Sequence, residues 1–231
     1  MKKLPKSYIY PRPYGSDIGR VKLVDSDDIR NKNVLDIGCG YGWFETYCLR
    51  NGVKKIVGAD ISAEAIKIAR KLVRNRGASF LVTDATLLPF QKNVFHTIFA
   101  WELLEHIFHN KEAAFFKEVS RVLKPGGTFY LSTPYDSFFA KFFDPAWLPL
   151  GHRHYGETKL RSLGEDVGFT VERIFSAGRW LSILYTLNMY ISKWIFRRRP
   201  IFHPWLKPLY TKEYERENGF ITIFAKYRKN V

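Results

Sequence analysis

Only two cysteines, Cys39 and Cys48, occur in the 231 residues. That is too few for a disulfide framework, and their spacing is not that of a structural zinc site, so a reducing, cytoplasmic compartment is expected. Long apolar runs are missing too. The uncharged stretch from Trp180 to Ser192 falls short of the ~20 apolar residues that span a bilayer, which excludes a transmembrane helix there but permits one lying on a surface. The opening MKKLPKSYIYPRPYG has no apolar segment of signal-peptide length, and its prolines interrupt helix, so secretion is not expected. Acidic residues are outnumbered, 22 against 37 Lys and Arg, leaving a formal charge of +15 that attracts anionic membranes, nucleic acid and phosphorylated metabolites alike. Internal repeats and low-complexity tracts are absent. What is present, 46% hydrophobic and 16% aromatic residues, excludes disorder as the main state and suits one large domain.

Short apolar runs alternate with helical patterns from Asn33–Ile37 onward, a βαβ rhythm. Further strands are expected at Lys55 to Asp60, Ser79 to Thr83, Val94 to Ala100, Gly127 to Ser132, Phe169 to Phe175 and Phe220 to Tyr227. The early ones are continuously apolar, as strands covered on both faces are. The fold class that follows is α/β: a Rossmann-like, seven-stranded, mostly parallel sheet with helices on both faces. Ser62 caps a helix expected to reach about Arg76 and stop at Gly77. Another spans Lys111 to Leu123 before Lys124-Pro125-Gly126-Gly127 turns into a strand. The organisation reads as an N-terminal arm over 1–32, a core over 33–178 with an aromatic lid near 134–156, an apolar and basic insertion over 179–218, and a last core strand over 219–231.

Asp36-Ile37-Gly38-Cys39-Gly40-Tyr41-Gly42 follows the first strand and leads into a helix near Trp43. Glycines let backbone turn tightly and approach a ligand, although the same turn can bind nothing. Asp60 ends the second strand 22 residues after Gly38, near the spacing at which an acid meets ribose hydroxyls. A nicotinamide fingerprint fits poorly: the third glycine comes one position early, and Asp36 would repel a diphosphate while suiting an ammonium.

Val34 to Gly42 resembles motif I of the class I S-adenosylmethionine-dependent methyltransferases. Asp60 resembles their ribose-binding acid, and Thr83-Asp84-Ala85 the segment that holds the adenine amino group. Phe95 to His106 with Arg121 to Gly127 is similar to their fourth strand, active-site loop and turn into the fifth strand. The resemblance is strong over residues 33 to 134 and weaker over His152 to Phe169. It implies S-adenosylmethionine as cofactor, bound by Asp36, Gly38, Cys39, Gly40, Gly42, Asp60, Ile61, Asp84, Ala85 and Trp101.

Methyl transfer is an in-line displacement, so alignment is the main catalytic contribution and a base matters only for a protonated acceptor. Glu102, Glu105 and His106 form an E-x-x-E-H array resembling those of ubiquinone-pathway and small-RNA O-methyltransferases. In some of these the array holds a divalent metal. Here Glu102, Glu105, His106 and His152 (or His154) are the ligand types for one, with His106 as a metal-free base placed ahead of it. Tyr135, Phe138, Phe139, Phe142, Phe143 and Trp147 suit an apolar acceptor pocket or simple packing on the sheet edge; Tyr135, Phe139, His152 and His154 are the candidate substrate residues. Trp180 to Phe196, followed by Arg197-Arg198-Arg199, has the composition of an interfacial element, and Pro200, Pro204 and Pro208 are expected to end helix beyond it. Packing of this insertion on the core is the competing reading. The expectation is a methyltransferase acting, at an oxygen, on a lipid-like or quinone-like small molecule, cytoplasmic or peripheral at the inner face of an anionic membrane. The alternatives are an RNA methyltransferase, less favoured because no RNA-binding module is apparent, and a non-catalytic donor-binding protein.

Overall fold

The continuous apolar runs become the centre of a single sheet. A computed structural model describes residues 16–144, 152–194, 196–197 and 203–231; Trp147 and Arg198 to Pro200 lie outside the described residues. Seven strands, β1 (Asn33–Ile37), β2 (Lys55–Asp60), β3 (Ala78–Val82), β4 (Phe95–Trp101), β5 (Leu123–Pro134), β6 (Phe169–Ala177) and β7 (Thr222–Lys229), run in the order β3-β2-β1-β4-β5-β7-β6. The pairs β1/β2, β1/β4, β2/β3 and β4/β5 are parallel, and β7 runs antiparallel between β5 and β6. Seven mostly parallel strands are thus borne out. Four of β1's five residues and six of β4's seven are buried, which is why neither alternates polar and apolar positions.

On one face lie α1 (Ser16–Leu23), α2 (Trp43–Arg50) and α3 (Ala63–Leu72); α4 (Glu112–Val122) and α6 (Glu157–Glu165) help cover the other; α5 is Phe138–Phe143. Two buried clusters divide accordingly. Phe115, Phe116, Val119, Phe129 and Tyr227 belong to one, while Leu23, Phe44, Phe99, Tyr130 and Phe224 belong to the other. Between β6 and β7 the chain forms α7 (Trp180–Trp194) and α8 (His203–Tyr214).

Three sequence expectations change. Ser62 does cap α3, its Oγ accepting from the Ala65 N–H at 3.2 Å, but the helix ends at Leu72 and Val73 turns extended. Gly77 therefore does not stop it; its N–H instead bonds the Asn75 side chain in the following turn. Two of the insertion's prolines do not end helix: Pro204 and Pro208 both lie within α8, and Pro200 is outside the described residues. Pro204 falls in the first turn, where no N–H is needed, and Pro208 is held by packing around it, Tyr210 stacking on Tyr185 at 4.4 Å and 2°. The last strand starts at Thr222, after the backbone of Phe220 and Ile221 bonds to Gly178 and Ala177.

Residues 16–32 pack tightly on the sheet. Buried Lys226 of β7 pairs with Asp25, Asp28 and Glu172, and the Tyr130 hydroxyl donates to Asp28 at 2.6 Å. These bonds set α1 beside the carboxyl ends of β1 and β4. A close approach of α2 to β2 depends on Gly58: a Cβ there would press on the Glu45 carboxylate and lie 2.7 Å from Phe80 Cδ1. Gly58→Ala should destabilise the protein by about 1–3 kcal/mol through overpacking, read as a lower urea midpoint with unchanged slope.

Candidate functional site

Gly38, Gly40 and Gly42 all have positive φ (77°, 53° and 81°), so the residues after β1 turn with a curvature that side chains disfavour. The loop is tied to β2 at two heights. Gly38 N–H and Cys39 N–H both donate to the Ala59 carbonyl, at 2.7 and 3.1 Å, and Gly40 N–H donates to Asp60 Oδ2 at 2.9 Å. Asp60 Oδ1 accepts from Ser62 N–H at 2.8 Å. Gly42 serves packing: a Cβ on it would come within 2.9 Å of Val73 Cγ2. Ile37, Gly38, Asp60, Ile61, Asp84 and Ala85 line one cleft, which Leu103 and His106 close from the β4 side.

Acids crowd beneath this loop. Asp36 is buried, and burial pushes its carboxyl up to about 8, with Arg20 opposing and Asp60 adding to the rise. Glu45 is fully buried with neither oxygen hydrogen-bonded, so desolvation and then Asp36 raise it well above the usual carboxylate range. Burial raises the Cys39 and Cys48 thiols as well; both are free and inert. Arg20, carried in by α1, is the buried cation among these acids. Its guanidinium lies 5.7 Å from the Trp43 ring and 5.9 Å from the Trp101 ring, donates to Asp17 at 3.2 Å, and comes 3.9 Å from Glu102. Arg20 Nε and Trp101 Nε1 are buried donors with no hydrogen-bond partner, a pair suited to an anionic group.

At the end of β4 the backbone of Glu102 is left-handed, φ 49°, an uncommon conformation for a residue with a Cβ. Ser132 holds it there, its carbonyl accepting from Glu102 N–H at 2.9 Å and its hydroxyl donating to Glu102 Oε1 at 2.6 Å. Glu105 and His106 follow in a one-turn helix, Leu104–His106. Glu105 is buried and accepts from the Thr133 hydroxyl at 2.9 Å; burial, then Glu102, raises its carboxyl well above the usual range. Burial, then His152, lowers the His106 imidazole, which favours its neutral form. The His106 and His152 rings lie 4.9 Å apart, and one ligand atom from each of Glu105, His106 and His152 falls within 4.8 Å of the others. Arg153 clamps this loop from the far side, pairing with Glu112 and donating to the carbonyls of Leu104 and Ile107.

A second cavity, about 150 Å³, adjoins this cluster. Glu102, His152, His154 and Asp144 line its polar side, and Ala140, Phe143, Ile183 and Thr186 its helical wall. Asp144 Oδ2 accepts from His152 Nδ1 at 2.8 Å. His106 of the cleft and His152 of the cavity thus face each other, their rings 4.9 Å apart.

Residues 35–131 match the model of the methyltransferase domain family. Over 91% of its length the chain superimposes, with a TM-score of 0.64 and 19% identity, on 95% of a structure described as an S-adenosylmethionine-dependent methyltransferase from Mesorhizobium loti. Residues 35–131 are thus similar to a methyltransferase domain, and the chain shares the fold of that structure. Similar curated proteins include the methyltransferase GfsG of Streptomyces halstedii, 35% identical over 98 residues (41% of this chain, 34% of that protein). Norajmaline N-methyltransferase of Rauvolfia serpentina is 26% identical over 220 residues (88% and 67%), and fatty-acid O-methyltransferase of Mycolicibacterium smegmatis is 33% identical over 103 residues (44% and 37%). The chain spans about a third of the length of the first and third relatives and about two thirds of the second.

Gly38, Asp60, Ile61, Asp84 and Ala85 share the cleft. Asp36, Cys39 and Trp101 are buried behind it, while Gly40 and Gly42 shape its loop. Glu105, His106 and His152 come together, whereas Glu102 is drawn aside to Ser132 and is not part of the three-residue ligand group. His152 and His154 line the cavity; Tyr135 and Phe139 are not among its lining residues. Tyr135 instead bridges to Tyr155, and Phe139 packs on Trp180 and Phe220. Sequence reasoning missed Arg20, Glu45 and Arg153, whose roles arise from contacts distant in the chain. Glu45 yields a pH test. A carboxyl with a raised folded pKa contributes stability fully below its unfolded value near 4.5, and loses it as pH rises toward the folded value. Glu45→Gln should flatten the fall in unfolding free energy as pH rises above about 4.5, measured by urea denaturation from acid to neutral pH.

Proposed function

We propose that this chain transfers the methyl group of S-adenosylmethionine to an oxygen of a hydrophobic small molecule. The observation that carries the reading is the closeness of cleft and cavity: His106 lines the first, His152 lines the second, and their rings lie 4.9 Å apart.

The residues fit the donor. Asp60, anchored by Gly40 and Ser62, offers its remaining lone pairs to the ribose hydroxyls. Asp84 is set by Thr86, whose N–H and hydroxyl both bond its Oδ1, leaving the other oxygen for an adenine amine. At the opposite end the unpartnered donors of Arg20 and Trp101 suit a carboxylate, and Asp36 an ammonium, whose arrival would offset the cost of ionising a buried acid. Cys39, Gly40 and Gly42 contribute backbone shape. S-adenosylmethionine supplies a methyl group activated by its sulfonium; the chain's own residues align the acceptor, exclude water and accept its proton.

His106 is the proton acceptor in this reading, neutral because of burial and of His152, with Asp144 holding His152 as the Nδ1–H tautomer. The Glu102 carboxylate is the charge that favours the imidazolium that forms, while neutral Glu105 packs beside it. A second reading, a divalent metal held by Glu105, His106 and His152, is favoured by the closeness of their ligand atoms. It would lower the pKa of a bound hydroxyl. The apolar wall of Phe143 and Ile183 suits an apolar acceptor, with His152 and His154 as its polar contacts. The fatty-acid O-methyltransferase relative supports a lipid-like acceptor at oxygen, whereas the norajmaline relative is named for methylation at nitrogen. An anionic membrane surface is the further partner we assign, with the chain peripheral at the inner face; RNA ranks behind it.

Purified protein given methyl-labelled S-adenosylmethionine and a cell extract should place label in the organic-soluble, small-molecule fraction. Label in RNA would replace this reading, and no label in any fraction would leave a donor-binding protein. With the acceptor found, His106→Ala should lower turnover by about 10²–10⁴. The native rate should fall on the acid side as the imidazole protonates, at a lower pH than for an ordinary histidine. Chelation decides between base and metal: an unchanged rate supports the base, and a lost rate restored by Mg²⁺ or Mn²⁺ supports the metal.

A further inference from the structure

We infer that the outward faces of α5 and α7 form one seat for an anionic lipid surface, placed at the mouth of the acceptor cavity so that an apolar acceptor enters from lipid. Only the last clause rests on the methyl-transfer reading.

Both helices are two-sided. Their inner faces wall the cavity with Ala140 and Phe143 from α5 and with Ile183 and Thr186 from α7. Their outer faces are apolar where water-facing helices carry charge. Phe138 and Phe142 stack at 6.1 Å and 13° and are 76% and 67% exposed. On α7, Trp180, Leu184, Leu187 and Ile191 follow the i, i+4, i+7, i+11 spacing of a single stripe. Three of the four are exposed and Leu187 is half-buried. No charged residue occurs from Trp180 to Ser192. Phe139 and Phe143 contact Trp180 at ring distances of 4.7 and 6.4 Å, which makes the two outer faces continuous.

The seat is built firmly. Glu213 accepts from the backbone N–H groups of Arg179, Leu181 and Ser182 and from the Ser182 hydroxyl, all at 2.8–2.9 Å, fixing the first turn of α7. Tyr185 is stacked on Tyr210 of α8. Exposure of the stripe is therefore a property of a packed helix.

Charge selects the occupant. Neither α5 nor α7 contains an acid, Lys141, paired with Asp136, stands between Phe138 and Phe142, and exposed Arg197 follows α7 with Arg198 and Arg199 next in sequence. Aromatic and aliphatic prongs rimmed by cations fit acyl chains beneath anionic headgroups. A second copy of a chain with net charge +15 would bring like charge to the same face.

Co-sedimentation with vesicles tests the seat without donor or acceptor. Native protein should pellet with phosphatidylglycerol-containing vesicles at low salt, less at high salt, and little with pure phosphatidylcholine. The double variant F142S/L184S replaces two side chains that are more than half exposed. It should keep its Tm and its S-adenosylhomocysteine affinity while losing at least about tenfold in vesicle partitioning. Pelleting that ignores vesicle charge and salt, or a double variant that partitions like native protein, would overturn the inference. So would a dimer in sedimentation velocity that the same substitutions dissolve, which would give this face to a second copy. Vesicle capture by a protein that fails to bind S-adenosylhomocysteine would overturn the methyl-transfer reading and leave the seat standing.

Discussion

The site depends on the junction where β1 and β4 lie side by side as parallel strands. Sheet order reverses there: β2 and β3 continue to one side of β1, β5, β7 and β6 to the other side of β4. Loops leaving the carboxyl ends of adjacent strands at such a reversal diverge, and the crevice between them is where ligands bind in open α/β sheets. Gly38 to Gly42 leave one side and Glu102 to His106 the other. Both loops are tied to a neighbouring strand, the first by Asp60 of β2 and the second by Ser132 of β5.

Charge is the second constraint. Asp36, Glu45 and Glu105 are carboxyls in places where water is excluded, and each is pushed toward its neutral form. Arg20 is the cation that partly offsets this, lowering both Asp36 and Glu105, and it comes from a helix outside the family match, which covers residues 35–131. In the donor-binding reading, a ligand carrying a positive charge beside a carboxylate would favour the ionised form of Asp36. Such a ligand would pair with Asp36 at one end and with the unpartnered nitrogens of Arg20 and Trp101 at the other.

Local patterns explain what could be read from the sequence. β1, the glycine turn, Asp60 and Asp84 follow one another at spacings set by a strand, a turn and a helix, so the order alone implies the cleft. Seven strands were legible for the same reason, since buried parallel strands are apolar throughout. Arg20 was not legible, because nothing near it in sequence signals that β7 and Asp28 will bring α1 to the site. Glu45 reads as an ordinary first-turn helical acid until Gly58 is seen to leave it room. The helical prolines were misjudged because tertiary packing around Tyr210 outweighs their local cost. Phe139 was chosen for composition, while it is Phe143, one helical turn on, that lines the cavity.

A donor site at the β1/β4 junction requires that a nucleoside bearing an amino-acid tail bind where a dinucleotide does not. Isothermal calorimetry of native protein and Asp84→Ala, titrated with S-adenosylhomocysteine and with NAD, measures this directly. The Asp84 side chain bonds only Thr86 among the described residues, while its backbone carbonyl, which accepts from Thr83 and Leu87, is kept in the variant, so the loop should stay intact. Saturable heat from S-adenosylhomocysteine alone is expected, weakened at least about tenfold, or 1.4 kcal/mol, in the variant. No binding to native protein, equal binding of NAD, or an unchanged affinity in Asp84→Ala would contradict it.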